Sequence, residues 1–225
     1  MEFKNKVAVI TGASRGIGYA ISKRLVAEGM KVYCLSRTKP KELVDGVIYL
    51  YADVSKEKLV AEAVAQIAEP IDFLINNAGV MRRGIYSEIS EEDFDLVMSV
   101  DIKGPWLMFK HLKDKLAKGA MTLQSNSKNA LQLKADTFPY TLAKLADLEV
   151  DKLVAKDRPD LDMRVAHFGP VDTLLEWTGY SAEQKAEKMK VAIQPDEAAD
   201  WAMKLIKSDK KRLVYDADSK TYSLV

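Results

Sequence analysis

The sequence predicts an α/β fold: a doubly wound parallel sheet in three layers, forming a single domain over residues 1–225. Three observations predict it. Short apolar runs alternate with stretches of helical spacing from one end of the chain to the other. A glycine-rich turn joins the first strand to the first helix. The length of 225 residues, with 48% apolar side chains, suits one good-sized core.

Val7 to Thr11 is an apolar, β-branched run that reads as a strand buried on both faces. After the glycines, Ile17 to Glu28 carries apolar residues at helical spacing, and Gly29 ends that helix. Lys31 to Leu35 and Val47 to Tyr51 are the second and third strands. Ser55 is expected to cap a helix that runs to about Ala68. Ile71 to Ile75 is the fourth strand. Ser90 caps the next helix, with Asp93 in the capping-box position. A helix is expected over Pro105 to Leu116 and the fifth strand over Ala120 to Gln124. A long helix from Pro139 to Lys156 leads into a sixth strand, Met163 to Phe168. Pro195 opens the last long helix, a position that suits proline, and Arg212 to Tyr215 reads as the final strand. Such alternation implies right-handed crossovers, helices on both faces, and a ligand site at the carboxyl ends of the strands.

Composition excludes several classes of function. The formal net charge of +1 asks for neither nucleic acid nor a membrane surface. Cys34 is the single cysteine, so no internal disulfide can form. No apolar run approaches the ~18 residues of a membrane span. The first residues lead directly into a strand rather than a signal peptide, and the expected location is cytoplasmic. No Cys/His cluster suggests a metal, and His111 and His167 have no acid or nucleophile at useful spacing.

The first strand ends in Thr11-Gly12-Ala13-Ser14-Arg15-Gly16-Ile17-Gly18. Gly12 can make the tight turn, Gly16 lets backbone approach a pyrophosphate, and Gly18 permits close packing. The helix N-terminus then offers free N–H groups and partial positive charge to phosphates. A plain strand-turn-helix connection is the competing reading. The second strand ends in Ser36-Arg37-Thr38, with no acid to meet a free ribose hydroxyl pair. Arg37, with Arg15 in the loop, can instead pair with a 2′-phosphate, and Ser36 offers a hydroxyl. These residues indicate NADP(H). Asp53, after the third strand, can accept a hydrogen bond from the adenine amino group. Tyr140 and Lys144 lie four apart on one face of a helix. A nearby ammonium favours the phenolate, which makes Tyr140 a candidate proton donor.

Together these residues resemble the short-chain dehydrogenase/reductase family over essentially the whole chain. The resemblance rests on residues 11–18, on Asp53-Val54, on Asn76-Asn77-Ala78-Gly79 after the fourth strand, and on Tyr140-x-x-x-Lys144. It implies a Rossmann-type fold, a nicotinamide cofactor and a Ser-Tyr-Lys catalytic set. By the same resemblance Ser127, thirteen residues before Tyr140, holds the substrate carbonyl oxygen, with Ser125 as the alternative serine. Tyr140 gives that oxygen a proton, and Lys144 tunes Tyr140 and binds the nicotinamide ribose. Asn76, Ala78 and Gly79 are expected to line the cofactor and steady the sheet, with Asn77 and Val54 also among the cofactor contacts.

The chain departs from the family pattern in three places. Asp101 stands where the family has an asparagine that holds a proton-relaying water, so its added charge is expected to alter the tuning of Lys144. Phe168-Gly169-Pro170-Val171-Asp172-Thr173 is about two residues shorter than the family segment, with Pro170, Val171 and Thr173 still expected near the cofactor. The tail replaces a glycine-rich end, which leaves the family's sheet-edge contact doubtful.

Leu174 to Met189 is expected to form a lid, with Leu174, Leu175, Trp177 and Tyr180 either meeting a partly apolar substrate or packing the lid down. Arg82 and Arg83 read as a solvated loop, with capture of an anionic substrate as the alternative. Apolar stripes carry Leu107, Phe109 and Leu116 on one helix, and Leu142, Leu145 and Leu153 on another. The resemblance implies that part of that surface pairs two subunits in a homodimer. Two functions follow. The first is an NADPH-dependent carbonyl reductase acting on a small-molecule carbonyl/alcohol pair. The second is a non-catalytic NADP(H)-binding regulatory protein, supported by Asp101 and the altered 168–173 segment.

Overall fold

The computed structural model describes residues 2–175 and 179–225, so Trp177 lies outside the described residues. Seven parallel strands and one antiparallel strand form one sheet. The strands are β1 (Val7–Thr11), β2 (Lys31–Ser36), β3 (Val47–Tyr51), β4 (Ile71–Asn76), β5 (Leu116–Ser127), β6 (Asp162–Phe168), β7 (Arg212–Asp216) and β8 (Thr221–Leu224). Their order across the sheet is β3-β2-β1-β4-β5-β6-β7-β8. The order reverses between β1 and β4. Connections therefore leave those two strands in opposite directions, and a crevice opens at their carboxyl ends.

Successive residues of a strand point to opposite faces, so β1 feeds two cores. Ala8 and Ile10 pack beneath α1 (Gly16–Ala27) and α8 (Pro195–Lys207), with Ile21, Leu25, Leu205 and Ile206. Val7 and Val9 face the other layer, which holds α2 (Glu57–Ala65), α4 (Lys103–Leu112) and α6 (Phe138–Asp157). Helix α3 (Glu91–Asp101) packs on α6. On the outer side, Arg24 of α1 bonds Asp196 and Asp200 of α8, each at 2.7 Å.

Several sequence expectations need correction. Ser55 does not cap α2: its hydroxyl and its N–H both donate to Asp53 Oδ1, and this local turn outcompetes the cap. Lys56 is the N-cap residue instead. Ser90 does cap α3, accepting from the Asp93 N–H at 3.2 Å. The Asp93 carboxylate, however, pairs with Arg82 rather than closing a capping box. The helix expected to reach Leu116 ends at Leu112, and β5 begins at Leu116, because Leu116 pairs with Ile71 in the sheet. A five-residue helix, α5 (Lys128–Gln132), follows β5 directly. The tail adds β8, joined to β7 by a turn in which Asp216 accepts from Ser219 and Asp218.

Arg164 on β6 is buried, and its guanidinium closes the C-terminal end of α8. It donates to the carbonyls of Leu205 (2.5 Å) and Ser208 (2.9 Å), while Asp162 holds its other edge at 2.7 Å. The Leu205 carbonyl also accepts from the N–H and hydroxyl of Ser208, and a cation at this helix end meets the helix dipole favourably. Arg164→Met is expected to lower stability by about 3 kcal/mol, because it takes the charged donor from the helix end and the buried partner from Asp162. Urea unfolding of the two proteins measures this. A loss below about 1 kcal/mol would mean that water replaces the guanidinium freely.

Candidate active site

The crevice is built where the sequence placed it. Thr11 ends β1, and Gly12 turns away with φ +69°. Thr11 Oγ1 accepts from the N–H groups of Asn77 and Ala78, at 3.0 and 3.1 Å. Asn77 Nδ2 donates to the Thr11 and Gly12 carbonyls. The ends of β1 and β4 are thereby fastened to each other. A Cβ at Gly18 would lie 2.4 Å from Asn77 Nδ2, so Gly18 permits the approach of α1 to this fastening rather than contact with a ligand.

A cleft of about 280 Å³ lies over this junction. Gly12, Ser14, Arg15, Gly16 and Ile17 form its floor, Ser36, Arg37, Asp53 and Val54 one end, and Asn77, Ala78, Gly79 and Thr173 the other. Leu35, Val80 and Val100 also line it, which the sequence reading did not single out, as does Leu175 from the segment expected to form a lid. Asn76 does not reach the cleft: its amide is buried beneath, with no hydrogen-bond partner among the described residues. Pro170 and Val171 also lie off the lining, tied by backbone bonds to the stretch around Ile193. Arg15 and Arg37 are exposed, and neither makes an ion pair among the described residues. The cleft is floored by glycines and by the N-terminus of α1, with the Arg15 guanidinium at the floor and that of Arg37 at one end. A glycine floor and a helix N-terminus of this kind can receive phosphate groups, and nicotinamide cofactors carry them.

Behind the Gly79 wall lies a buried ion pair. Asp101, at the end of α3, has no solvent exposure, and its Oδ1 stands 3.1 Å from Lys144 Nζ. Its Oδ2 accepts from the Val80 N–H at 2.8 Å. A Cβ on Gly79 would come within 2.9 Å of Asp101 Oδ1, so glycine is needed for this approach. Lys144 Nζ also donates to the Ser125 carbonyl at 3.1 Å and lies 5.6 Å from the centre of the Tyr140 ring. Burial works against the ammonium, but Asp101, with Tyr140 and Asp147, outweighs it and holds the Lys144 pKa above its ordinary value. Burial pushes the Asp101 carboxyl up, against the pull of Lys144 and the Val80 amide.

The two serines differ in their engagement. The Ser125 hydroxyl donates to Asn77 Oδ1 at 3.2 Å, while Ser127 caps α5, accepting from the Asn129 N–H at 3.2 Å. Arg82 and Arg83 are not a solvated loop. Arg82 is bonded to Asp93, and the Arg83 guanidinium lies 3.6 Å from the centre of the Tyr180 ring, just before α7 (Ala182–Met189). Helix α7, in the segment expected to form a lid, buries none of its residues and closes its own capping box through Ser181 and Gln184. Leu175 packs against the cluster that contains Tyr140, Val97 and Met81, while Leu174 is exposed. His111 meets Glu57 at 3.2 Å on the surface, and His167 is buried.

Sequence reading missed the polar layer under this site. Gln124 Nε2 donates to Asp147 Oδ1, and Asn126 Nδ2 donates to the Lys144 carbonyl at 2.9 Å and faces Asp147 Oδ2 at 3.5 Å. Asn126 Oδ1 accepts from the Ser127 N–H at 2.8 Å. The signal was present. Tyr140, Lys144, Asp147 and Asp151 stand at i, i+4, i+7 and i+11, one stripe of a helix, and all four are buried.

A fold and crevice of this kind define a dinucleotide-binding oxidoreductase, and comparison with known proteins agrees. The short chain dehydrogenase family matches residues 6–185, and the chain belongs to that family. An uncharacterized oxidoreductase of Thermotoga maritima is 33% identical over 199 residues, covering 83% of this chain and 78% of the relative. Oxidoreductase UcpA of Salmonella typhimurium is 30% identical over 206 residues, covering 85% and 75%. The structure of an alcohol dehydrogenase from the archaeon Thermococcus sibiricus, complexed with 5-hydroxy-NADP, superposes with a TM-score of 0.79 at 28% identity, covering 91% of this chain and 92% of that one. The protein is thus an oxidoreductase of a family that binds nicotinamide cofactors. Among the described residues no helix is long and apolar enough to cross a membrane.

Proposed function

We propose that the protein is an NADPH-dependent carbonyl reductase in which Tyr140 is the proton donor. The observation that carries this reading is Lys144, buried one turn after Tyr140 and kept charged by Asp101, directly behind the cleft wall. A binding-only protein has no need of an ammonium held at such desolvation cost beside a phenol.

Arg15, Arg37 and Ser36 would hold the 2′-phosphate, the first turn of α1 the pyrophosphate, and Asp53 and Val54 the adenine. Asn77, Ala78, Gly79 and Thr173 would flank the nicotinamide half, with Lys144 reaching its ribose. When bound, NADPH supplies the hydride that reduces the carbonyl carbon. Ser127 orients the carbonyl oxygen, and Tyr140 delivers its phenolic proton to that oxygen. The Lys144 ammonium stabilises the negative charge left on Tyr140, and Asp101 offsets part of that field. Leu175 and Val80 give the substrate end an apolar wall, which favours a partly apolar ketone or aldehyde. Exposed Trp106, Leu142 and Leu153 on α4 and α6 form the surface through which two copies would pair.

The test is loss of nicotinamide absorbance with NADPH, then NADH, over a panel of ketones, aldehydes and quinones. Tyr140→Phe is expected to lower kcat by at least ~100-fold while NADPH still binds. Arg37→Glu is expected to weaken NADPH by about 10- to 100-fold and leave NADH nearly unchanged. Tight NADPH binding with no turnover on any carbonyl would reject the reductase. Equal losses for both cofactors in Arg37→Glu would reject the preference for NADPH.

A further inference from the structure

The mechanism uses one buried ionisable pair, yet α6 carries two further buried carboxylates, Asp147 and Asp151, one and two turns beyond Lys144. Asp147 is anchored: Gln124 donates to one oxygen, and Asn126 faces the other. Asn126 is the junction of the layer. Its amide nitrogen holds the Lys144 carbonyl, and its amide oxygen holds the Ser127 N–H. One side chain therefore fixes the main chain of both the serine and the lysine, and Asp147 is the carboxylate against which that side chain is set.

We propose that Asp147 is a positioning residue, whose ionised carboxylate orients Asn126, and through it Ser127 and Lys144, so that a proton on Asp147 loosens the catalytic set. The proposal rests on the reading of Ser127, Tyr140 and Lys144 given above. An ionised Asp147 only accepts hydrogen bonds, which matches the donors that Gln124 and Asn126 present. Once protonated, one of its oxygens becomes a donor, and that match is broken. Burial, opposed by Lys144 and Gln124, pushes its carboxyl up to about 6, so the change falls close to neutral pH.

The charged groups around Asp147 are few. Lys144, Tyr140 and Asp151 share its helix, and burial holds the Asp151 carboxyl well above the usual range. Asp101 faces it from α3. From the sheet come neutral Gln124 and Asn126, with His167 next to Asn126 in register, its pKa lowered by burial. The ionisable groups of α4 are turned elsewhere: Lys110 and His111 bond Glu57, and Lys103 is exposed. Lys128 of α5 lies over the Tyr215 ring.

The experiment compares kcat/KM against pH, with NADPH and the best carbonyl, for the parent, Asp147→Asn, Gln124→Leu and Tyr140→Phe. The parent should lose activity as pH falls through about 6. Asp147→Asn should lack that limb, with kcat reduced about tenfold and KM for NADPH changed less than about twofold. Gln124→Leu removes a bond that favours ionised Asp147, so it should move the limb to higher pH; it serves also if Asp147→Asn does not fold. Urea unfolding without cofactor gives a second reading. A raised carboxyl contributes stability that is lost as pH rises through its folded value, so the midpoint of Asp147→Asn should gain on the parent between pH 4 and 8. Parallel urea curves and an unchanged limb in both Asp147→Asn and Gln124→Leu, with Tyr140→Phe inactive, overturn the role of Asp147 alone. A fully active Tyr140→Phe overturns the catalytic reading, and the proposal with it.

Discussion

Lys144→Met is expected to lower the unfolding free energy by about 3–5 kcal/mol at pH 8, and by much less at pH 5. The ammonium and Asp101 are both buried, and each makes the other tolerable. Methionine fills similar space but leaves Asp101 as an uncompensated charge away from water. The group can escape only by taking up a proton. In the variant its folded pKa therefore lies above its unfolded value. Stability is then fully present below the unfolded value and is lost as pH rises through the folded one. Urea unfolding at the two pH values measures the effect. A loss equal at both would assign it to packing rather than to charge. The double variant Lys144→Met/Asp101→Asn should recover much of the stability while remaining inactive.

Gly12→Ala is expected to cost about 3 kcal/mol and to abolish nucleotide binding. Its φ of +69° strains any side chain, and the new Cβ would stand 2.7 Å from Ala78 Cα, which is backbone and cannot swing aside. Relief would pull β4 from β1 and break the Thr11–Asn77 fastening that shapes the cleft floor. Gly119 separates the two causes. It has a similar φ of +77° but nothing within 4 Å of a built Cβ, so Gly119→Ala should cost only the strain, about 1 kcal/mol. Unfolding curves and fluorescence titration with NADPH measure both variants. Equal losses at the two glycines would make strain, not crowding, the cause at Gly12.

The parallel strands and the cleft were legible in the sequence because both are written locally. A buried parallel strand is a continuous apolar run, as Val7 to Thr11 is, and a glycine turn before a helix needs no knowledge of the rest of the chain. What stayed hidden depends on distant partners. Leu116 continues a helical stripe by spacing, but its pairing with Ile71 makes it a strand residue. Ser55 has the chemistry of a cap, yet an aspartate two residues earlier claims its hydroxyl. Arg82 and Arg83 looked solvated because Asp93 and Tyr180 approach them only in the fold. Gln124 and Asn126 alternate with two serines at the end of a strand, and their shared partner Asp147 lies on a helix some twenty residues further on.

The seat of α1 has a consequence for how the chain acquires its shape during synthesis. Strand β2 follows α1 within a few residues, but β4 comes more than forty residues later. The outer cover of Ile21 and Leu25 is α8, whose Asp196 lies 172 residues beyond the Arg24 it binds. A ribosome-bound chain must therefore carry that greasy helix face uncovered until the residues of α8 have emerged. That face is made long before the helix that shelters it, and chaperones would find their natural foothold there.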